Sequence, residues 1–253
     1  MRICVAQIRP ATGDIDTNVR KHLALLSLAL SCRADLVCFP ELSLTGYEPK
    51  LAKQLATHQD DPRFDSFQVL AHSRLVSIAV GIPTVAEKGT RISMIVFRPG
   101  FRVTYSKQQI HDDEMPYFVH GERQIVIEVS GHRIAPAICY ESLQDSHAQQ
   151  AAELGADVYL TSVAKSARGI DKALQHYPAV ARRHSMTVLM ANCVGSCGNF
   201  VAAGQSGVWS TSGDLLISLD GEQEGIALLD TSTREVCARY VSASGACNVL
   251  PSA

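Results

Sequence analysis

Short apolar runs alternate with longer amphipathic stretches as far as Asn192, after which only short runs and turns remain. Arg2–Ile8 reads as a buried strand. Thr17–Cys32 reads as a helix, since Val19, Leu23, Leu26 and Leu30 recur every three or four positions on one face. Asp14 and Asp16 stand before it as cap or first-turn charges. Arg33-Ala34 turns the chain into a second strand, Asp35–Phe39, which Pro40 stops. A strand, a helix and a second strand imply a crossover and therefore parallel pairing, whereas tight turns imply antiparallel pairing. The pattern suggests an α/β sandwich with a mixed sheet.

The same reading continues along the chain. A loop and helix are expected from about Pro49 to Leu70, then strands at Val76–Ile82, Ile92–Phe97 and Arg102–Lys107, with Pro99-Gly100 as a hairpin turn. A polar segment, Gln108–Arg123, precedes strands at Gln124–Val129 and Arg133–Cys139. Ser142–Leu154 and Asp171–Ser185 read as helices around an Asp157–Thr161 strand, and Val188–Asn192 leads into a glycine-rich loop, Gly195–Gly207. Strands at Ser206–Ser210, Leu215–Leu219, Gly225–Asp230 and Glu235–Val241 complete the pattern. No linker divides the chain, so residues 1–241 are read as one domain and 242–253 as a small-residue tail.

Charge excludes several function classes. With 23 Lys+Arg against 25 Asp+Glu and no long single-sign run, the chain lacks the basic stripe of a nucleic-acid binder. No apolar stretch reaches the roughly 18 residues of a membrane span. The start of the sequence has no signal-type run, so a cytoplasmic location is expected. The 8 cysteines are read as reduced, and the Cys193/Cys197 pair lacks the second close Cys/His pair of a zinc site, so no metal is expected.

Three reactive residues share one position in three units, the carboxyl end of an apolar strand: Glu41 after Val37-Cys38-Phe39-Pro40, Lys107 after Val103-Thr104-Tyr105-Ser106, and Cys139 after Ile134–Ile138. Open α/β sheets gather ligand sites at such ends. A cysteine before a helix is poised as a thiolate nucleophile, a carboxylate leaving an apolar strand has a raised pKa that suits a general base, and an inward lysine would hold an oxyanion. Each has a plainer reading, as a structural cysteine, a loop glutamate or a solvated lysine.

Together the segments are more specific. Phe39-Pro40-Glu41 with Gly46-Tyr47, Tyr105-Ser106-Lys107 with Glu114, Tyr117-Phe118 and Gly121, and Ala137-Ile138-Cys139-Tyr140-Glu141 occur in the order and at spacings similar to those of the nitrilase superfamily of carbon–nitrogen hydrolases. The chain resembles an amidase-like member over nearly its whole length. That resemblance implies a four-layer αββα sandwich with two mixed sheets, a carbon–nitrogen hydrolase domain over residues 1–241, and a Glu41-Lys107-Cys139 triad with Glu114 as a second active-site glutamate. Glu114 would orient substrate or water, or simply position Lys107. Tyr140 is assigned to substrate binding, its N–H assisting Lys107 at the oxyanion, and Lys165 to pairing with a substrate carboxylate.

No cofactor is required by this chemistry. The resemblance also implies a homodimer or larger assembly, with 242–253 crossing to a partner. A small-molecule carboxamide is the expected substrate. Nitrile or N-carbamoyl hydrolysis, a non-catalytic binding module, and a Cys-His hydrolase using His111, His147 or His176 are the alternatives. Gln109 stands where the family commonly has histidine, and Ser142–His147 replaces the usual amidase continuation, which leaves the substrate open.

Overall fold

The structure, a computed structural model, describes residues 1–241 and the backbone of 247–249. The first half contains β1 (Arg2–Gln7), α1 (Ile15–Ser31), β2 (Leu36–Cys38), α2 (Ala52–Leu55), α3 (Asp65–Arg74), β3 (Ser77–Ala86), β4 (Gly89–Arg98) and β5 (Phe101–Ser106). Next come β6 (Ile127–Val129), β7 (His132–Ile138), α4 (Asp145–Glu153), β8 (Val158–Val163), α5 (Ala167–His184) and β9 (Thr187–Asn192). The remainder is β10 (Val194–Cys197), β11 (Phe200–Ala203), β12 (Gly207–Trp209), β13 (Leu215–Ser218), β14 (Gly225–Asp230), β15 (Val236–Val241) and β16 (Cys247–Val249). Apart from β16, which pairs with β15, the tail proposed as a subunit contact lies outside the described residues.

Two sheets carry the architecture, one of 8 strands in the order β16-β15-β14-β1-β2-β3-β4-β5 and one of 6 in the order β13-β12-β9-β8-β7-β6. Both are mixed: β1, β2 and β3 run parallel, as do β7, β8 and β9, with antiparallel strands outside them. Strand periodicity builds the layers. Ile3, Val5, Leu36 and Cys38 meet Ile134, Ile138, Val158 and Leu160 between the sheets. The alternate residues Cys4, Ala6, Val37 and Phe39 face α1 and α3, whereas Ala135, Ala137, Tyr159 and Val163 face α4 and α5. The result is the expected αββα sandwich. Each fully buried Leu or Ile contributes about 1.5–3 kcal/mol.

Helix α1 begins two residues earlier than periodicity indicated, because Asp14 caps it by accepting from the Thr17 N–H at 2.9 Å. The loop and helix expected from about Pro49 to Leu70 comprise short α2, which ends at Leu55, a loop, and an Asp61-Pro62 restart in a 3₁₀ turn before α3, which runs on to Arg74. Helix α5 starts at Ala167 rather than Asp171. Its last turn carries Arg182, Arg183 and His184, which complement the helix dipole, and Arg183 also pairs with Asp145 at 3.1 Å. The glycine-rich segment is not a loop but contains the β10–β11 hairpin. Seven described cysteines are free thiols. No described helix is long and apolar enough to cross a membrane.

Candidate active site

Glu41 leaves the larger sheet where β2 ends. Phe39 N–H still donates to Ala79 O at 2.9 Å, Pro40 has no N–H to continue the ladder, and the chain folds back so that Leu44 N–H reaches Gly81 O at 3.0 Å. That return requires Gly81, since a Cβ there would lie 2.4 Å from both Leu42 N and Pro40 O. Beneath the turn, buried His22 links Asn18 O at 2.7 Å to Ser43 Oγ at 2.9 Å. Burial pushes its imidazole down to about 3, so it is neutral there.

Lys107 follows β5, with its N–H on Ile92 O at 2.9 Å and its carbonyl accepting from Gly121 N–H at 2.7 Å. Cys139 follows β7 in a left-handed turn (φ 47°), its N–H donating to Ser162 O at 3.0 Å. A non-glycine residue in that conformation costs about 1–3 kcal/mol. The next backbone N–H along the chain is that of Tyr140.

The side chains converge. Lys107 Nζ donates to Glu41 Oε1 at 2.8 Å and to Glu114 Oε1 and Oε2 at 2.7 and 2.9 Å, with all three residues at most 2% exposed. The two carboxylates differ. Glu114 also accepts from Tyr47 OH at 2.8 Å and His111 N–H at 2.8 Å, so both its oxygens are occupied. Glu41 Oε2 has no partner, and the Cys139 thiol acts on this carboxyl.

Burial raises the Glu41 pKa and Lys107 only partly offsets it. Burial also lowers that of Lys107, but the two glutamates outweigh it and hold the ammonium charged. The Cys139 thiol is pushed up to about 11 by burial and Glu41, despite the opposing lysines. Burial therefore opposes the thiolate expected from a helix start. The chain beyond Cys139 forms only a three-residue 3₁₀ turn, Glu141–Leu143, and desolvation dominates over its dipole.

Sulfur opens into a cavity of about 550 Å³ lined in part by Tyr47, Glu114, Tyr140, Lys165, Asn199 and Phe200. Glu41 and Lys107 lie behind that lining. Tyr140 is at the cavity wall, half-exposed, with the His111 ring edge-on at 5.1 Å. Lys165 is not solvated but buried, its Nζ 3.9 Å from Cys139 Sγ. None of the three candidate histidines hydrogen-bonds the sulfur, which lies 3.8 Å from Ala164 O and 3.9 Å from Lys165 Nζ and also acts on the Glu41 carboxyl. His111 binds Asp113, His147 sits between Tyr105 and Tyr159, and His176 faces Asp145 at 3.9 Å.

The sequence pattern of the carbon-nitrogen hydrolase family matches residues 2–239. The chain belongs to that family. Its fold is similar to that of an amidase from Nesterenkonia sp. AN1, with a TM-score of 0.84 at 25% identity over 91% of this chain and 92% of that one. Structures of variants of that amidase show a complex with butyramide and, in another variant, covalent addition of the acetamide moiety of fluoroacetamide at the active-site cysteine.

Among curated proteins, the chain is 28% identical over 260 residues to a glutamine-dependent NAD(+) synthetase of Aquifex aeolicus, covering 93% of this chain and 45% of that protein. It therefore spans less than half the synthetase's length. It is also 25% identical to a probable nitrilase of Schizosaccharomyces pombe, over 88% of this chain and 86% of the nitrilase.

In this member of the carbon-nitrogen hydrolase family one further residue ties the parts together. Glu141 Oε1 accepts from Ile138 N–H and Tyr105 OH, both at 2.7 Å, while Oε2 accepts from Gln108 N–H at 2.7 Å and Gln109 N–H at 3.2 Å. One carboxyl thus clamps the chain after Lys107 to the strand before Cys139. Burial raises it to about 7. Sequence reading gives Glu141 and Tyr47 as motif residues without roles. Their partners lie 36 and 67 positions away, beyond any local signal.

Proposed function

We propose that this protein hydrolyses the carbon–nitrogen bond of a small linear carboxamide through a thioester on Cys139. The observation that carries the reading is the asymmetry of the two glutamates: Glu114 is saturated by Lys107, Tyr47 and His111, whereas Glu41 keeps an open oxygen beside the thiol. Glu41 is then the base, and Glu114 the group that holds Lys107.

Because a thiol near 11 is almost wholly protonated at neutral pH, its proton passes to Glu41 as sulfur attacks the carbonyl carbon. The oxyanion forms between the Lys107 ammonium and the Tyr140 N–H, donors of a kind worth about 2.7–4 kcal/mol each. Glu41 returns the proton to the leaving nitrogen, and ammonia or an amine departs. Water then attacks the thioester, again losing its proton to Glu41. Collapse releases the carboxylic acid, and Glu41 reprotonates sulfur. Proton transfer of this type contributes about 10²- to 10⁴-fold. No step calls on a metal or an organic cofactor.

The names of similar proteins favour an amide: an amidase solved with butyramide, and synthetases that are glutamine-dependent. Incubation with butyramide, glutamine, a nitrile and an N-carbamoyl amino acid tests the reading. The expected result is ammonia release from an amide with a transient acyl mass on Cys139. Carbon dioxide release would favour the N-carbamoyl alternative, turnover of the nitrile alone the nitrilase one, and no acylation by any compound a binding module. In the same reading the protein works in the cytoplasm as a homodimer, which sedimentation with and without Ser242–Ala253 checks.

A further inference from the structure

Lys165 is a buried ammonium, 5% exposed, with no carboxylate within salt-bridge distance among the described residues. The one described hydrogen bond of its ammonium is to Cys139 Sγ, at 3.9 Å. The fold builds this placement. Asn192, itself fully buried, accepts from Lys165 N–H at 2.8 Å and donates to Lys165 O at 3.2 Å, fixing the backbone where β8 ends. The aliphatic stem lies on α5 at Gly169, where a Cβ would stand 3.1 Å from Lys165 Cβ and 3.3 Å from Cγ. A desolvated cation held this firmly needs an anion, and the nearest atom able to become one is the sulfur.

Charge balance points the same way. Lys107 is shared by Glu41 and Glu114, so that trio carries one excess negative charge, which Lys165 balances from the other side of Cys139. When a proton moves from Sγ to Glu41, the electron pair stays on sulfur and the site's total charge is unchanged. The negative charge has simply moved from a carboxylate bound by Lys107 to a sulfur faced by Lys165.

We propose that Lys165 is a further catalytic residue, the counter-ion that holds the Cys139 sulfur as thiolate during attack, rather than a group reserved for a substrate carboxylate. The inference rests on Cys139 being the nucleophile proposed above. The other ionisable groups that act on the sulfur or on Lys165 are Glu41, Glu114 and Lys107 from the strand-end loops, Tyr47 across the cavity, Tyr177 and His176 on α5, and Cys193 beyond β9.

The test measures thiolate in the free enzyme, without substrate. Rates of Cys139 modification by methyl methanethiosulfonate, a small neutral reagent for thiolates, are read by peptide mass across pH for the wild type, Lys165→Met and Lys165→Gln. Removing an opposite charge this close shifts a pKa by about one unit or more. The neutral variants are therefore expected to react about tenfold more slowly at pH 8, with the profile displaced to higher pH. A folded neutral variant whose profile superimposes on that of the wild type overturns the inference. If such a variant also shows a raised KM for carboxylated amides alone, the substrate-binding role replaces it. Displaced profiles in a protein that turns over no amide, nitrile or carbamoyl compound would sink the proposed function and, with it, the catalytic role of Lys165, leaving only its charge coupling to Cys139.

Discussion

Ser162 Oγ donates to Phe39 O at 2.8 Å, joining β8 of one sheet to the end of β2 in the other. The Ser162 carbonyl accepts the Cys139 N–H at 3.0 Å. One residue therefore holds both the strand end that leads to Glu41 and the turn that carries Cys139. Ser162→Ala is expected to leave the Phe39 carbonyl only its weak contact with the Cys38 thiol at 3.5 Å, cost about 1 kcal/mol in urea unfolding, and lower kcat by up to about tenfold with KM little changed. Unaltered kcat in a destabilised variant would remove the aligning role.

Glu41 and Glu114 are expected to separate by kinetics. Glu41→Gln removes the base and should lower kcat by about 10²- to 10⁴-fold while the protein still folds. Glu114→Gln leaves the base in place and loosens Lys107, so a smaller loss is expected. His111→Ala and His176→Ala should retain turnover. A fully active Glu41→Gln protein would instead revive a histidine base.

Glu141→Gln presents one acceptor oxygen where two now serve four donors. Charged-group hydrogen bonds contribute about 1.5–3 kcal/mol each, so a loss of at least about 2 kcal/mol is expected, together with reduced kcat. Thermal unfolding and steady-state rates check both. A variant as stable as the wild type would show that the clamp is dispensable.

Glu141 and its neighbour His147 make opposing contributions to stability against pH. Glu141 titrates near 7 in the folded protein, against about 4.5 ordinarily, so its contribution is full below 4.5 and is lost as pH rises to 7. Burial lowers His147 to about 4 from 6.5, so its contribution is present above 6.5 and is lost as pH falls to 4. Across the shared window the two slopes offset. His147→Gln should expose the Glu141 term, making stability fall with rising pH between 4.5 and 7 by up to about 3 kcal/mol relative to the wild type. Parallel curves for the two proteins from urea titrations at several pH values would contradict this.

Gly81→Ala is expected to be severe, because the new methyl would meet main-chain atoms at 2.4 Å rather than a yielding side chain. Either β3 or the Pro40–Leu42 turn must move, and Glu41 moves with the turn. Soluble yield and kcat should both drop, the stability loss being about 2 kcal/mol or more. An active, stable Gly81→Ala protein would show that the turn tolerates displacement.

Residue patterning indicates an α/β sandwich, and the family resemblance supplies its four layers, since both faces of the central strands are apolar. Alternation at Ile3/Val5 against Cys4/Ala6, and at Leu36/Cys38 against Val37/Phe39, assigns each strand two faces, because a period of two allows no other arrangement. The same patterning locates Glu41, Lys107 and Cys139 at strand ends, and the family pattern groups them with Glu114. Local propensity misreads segments whose conformation depends on distant partners, such as the β10–β11 hairpin within a glycine-rich stretch.

The surroundings of each reactive group, by contrast, are set by the packed fold. Which glutamate has a free oxygen depends on Tyr47 and the His111 N–H. The protonation of Cys139 depends on desolvation set by both sheets, and the burial of Lys165 depends on Asn192 and Gly169. Hydrogen-bond saturation and dielectric environment are properties of the assembled surroundings, so no short stretch of sequence carries them.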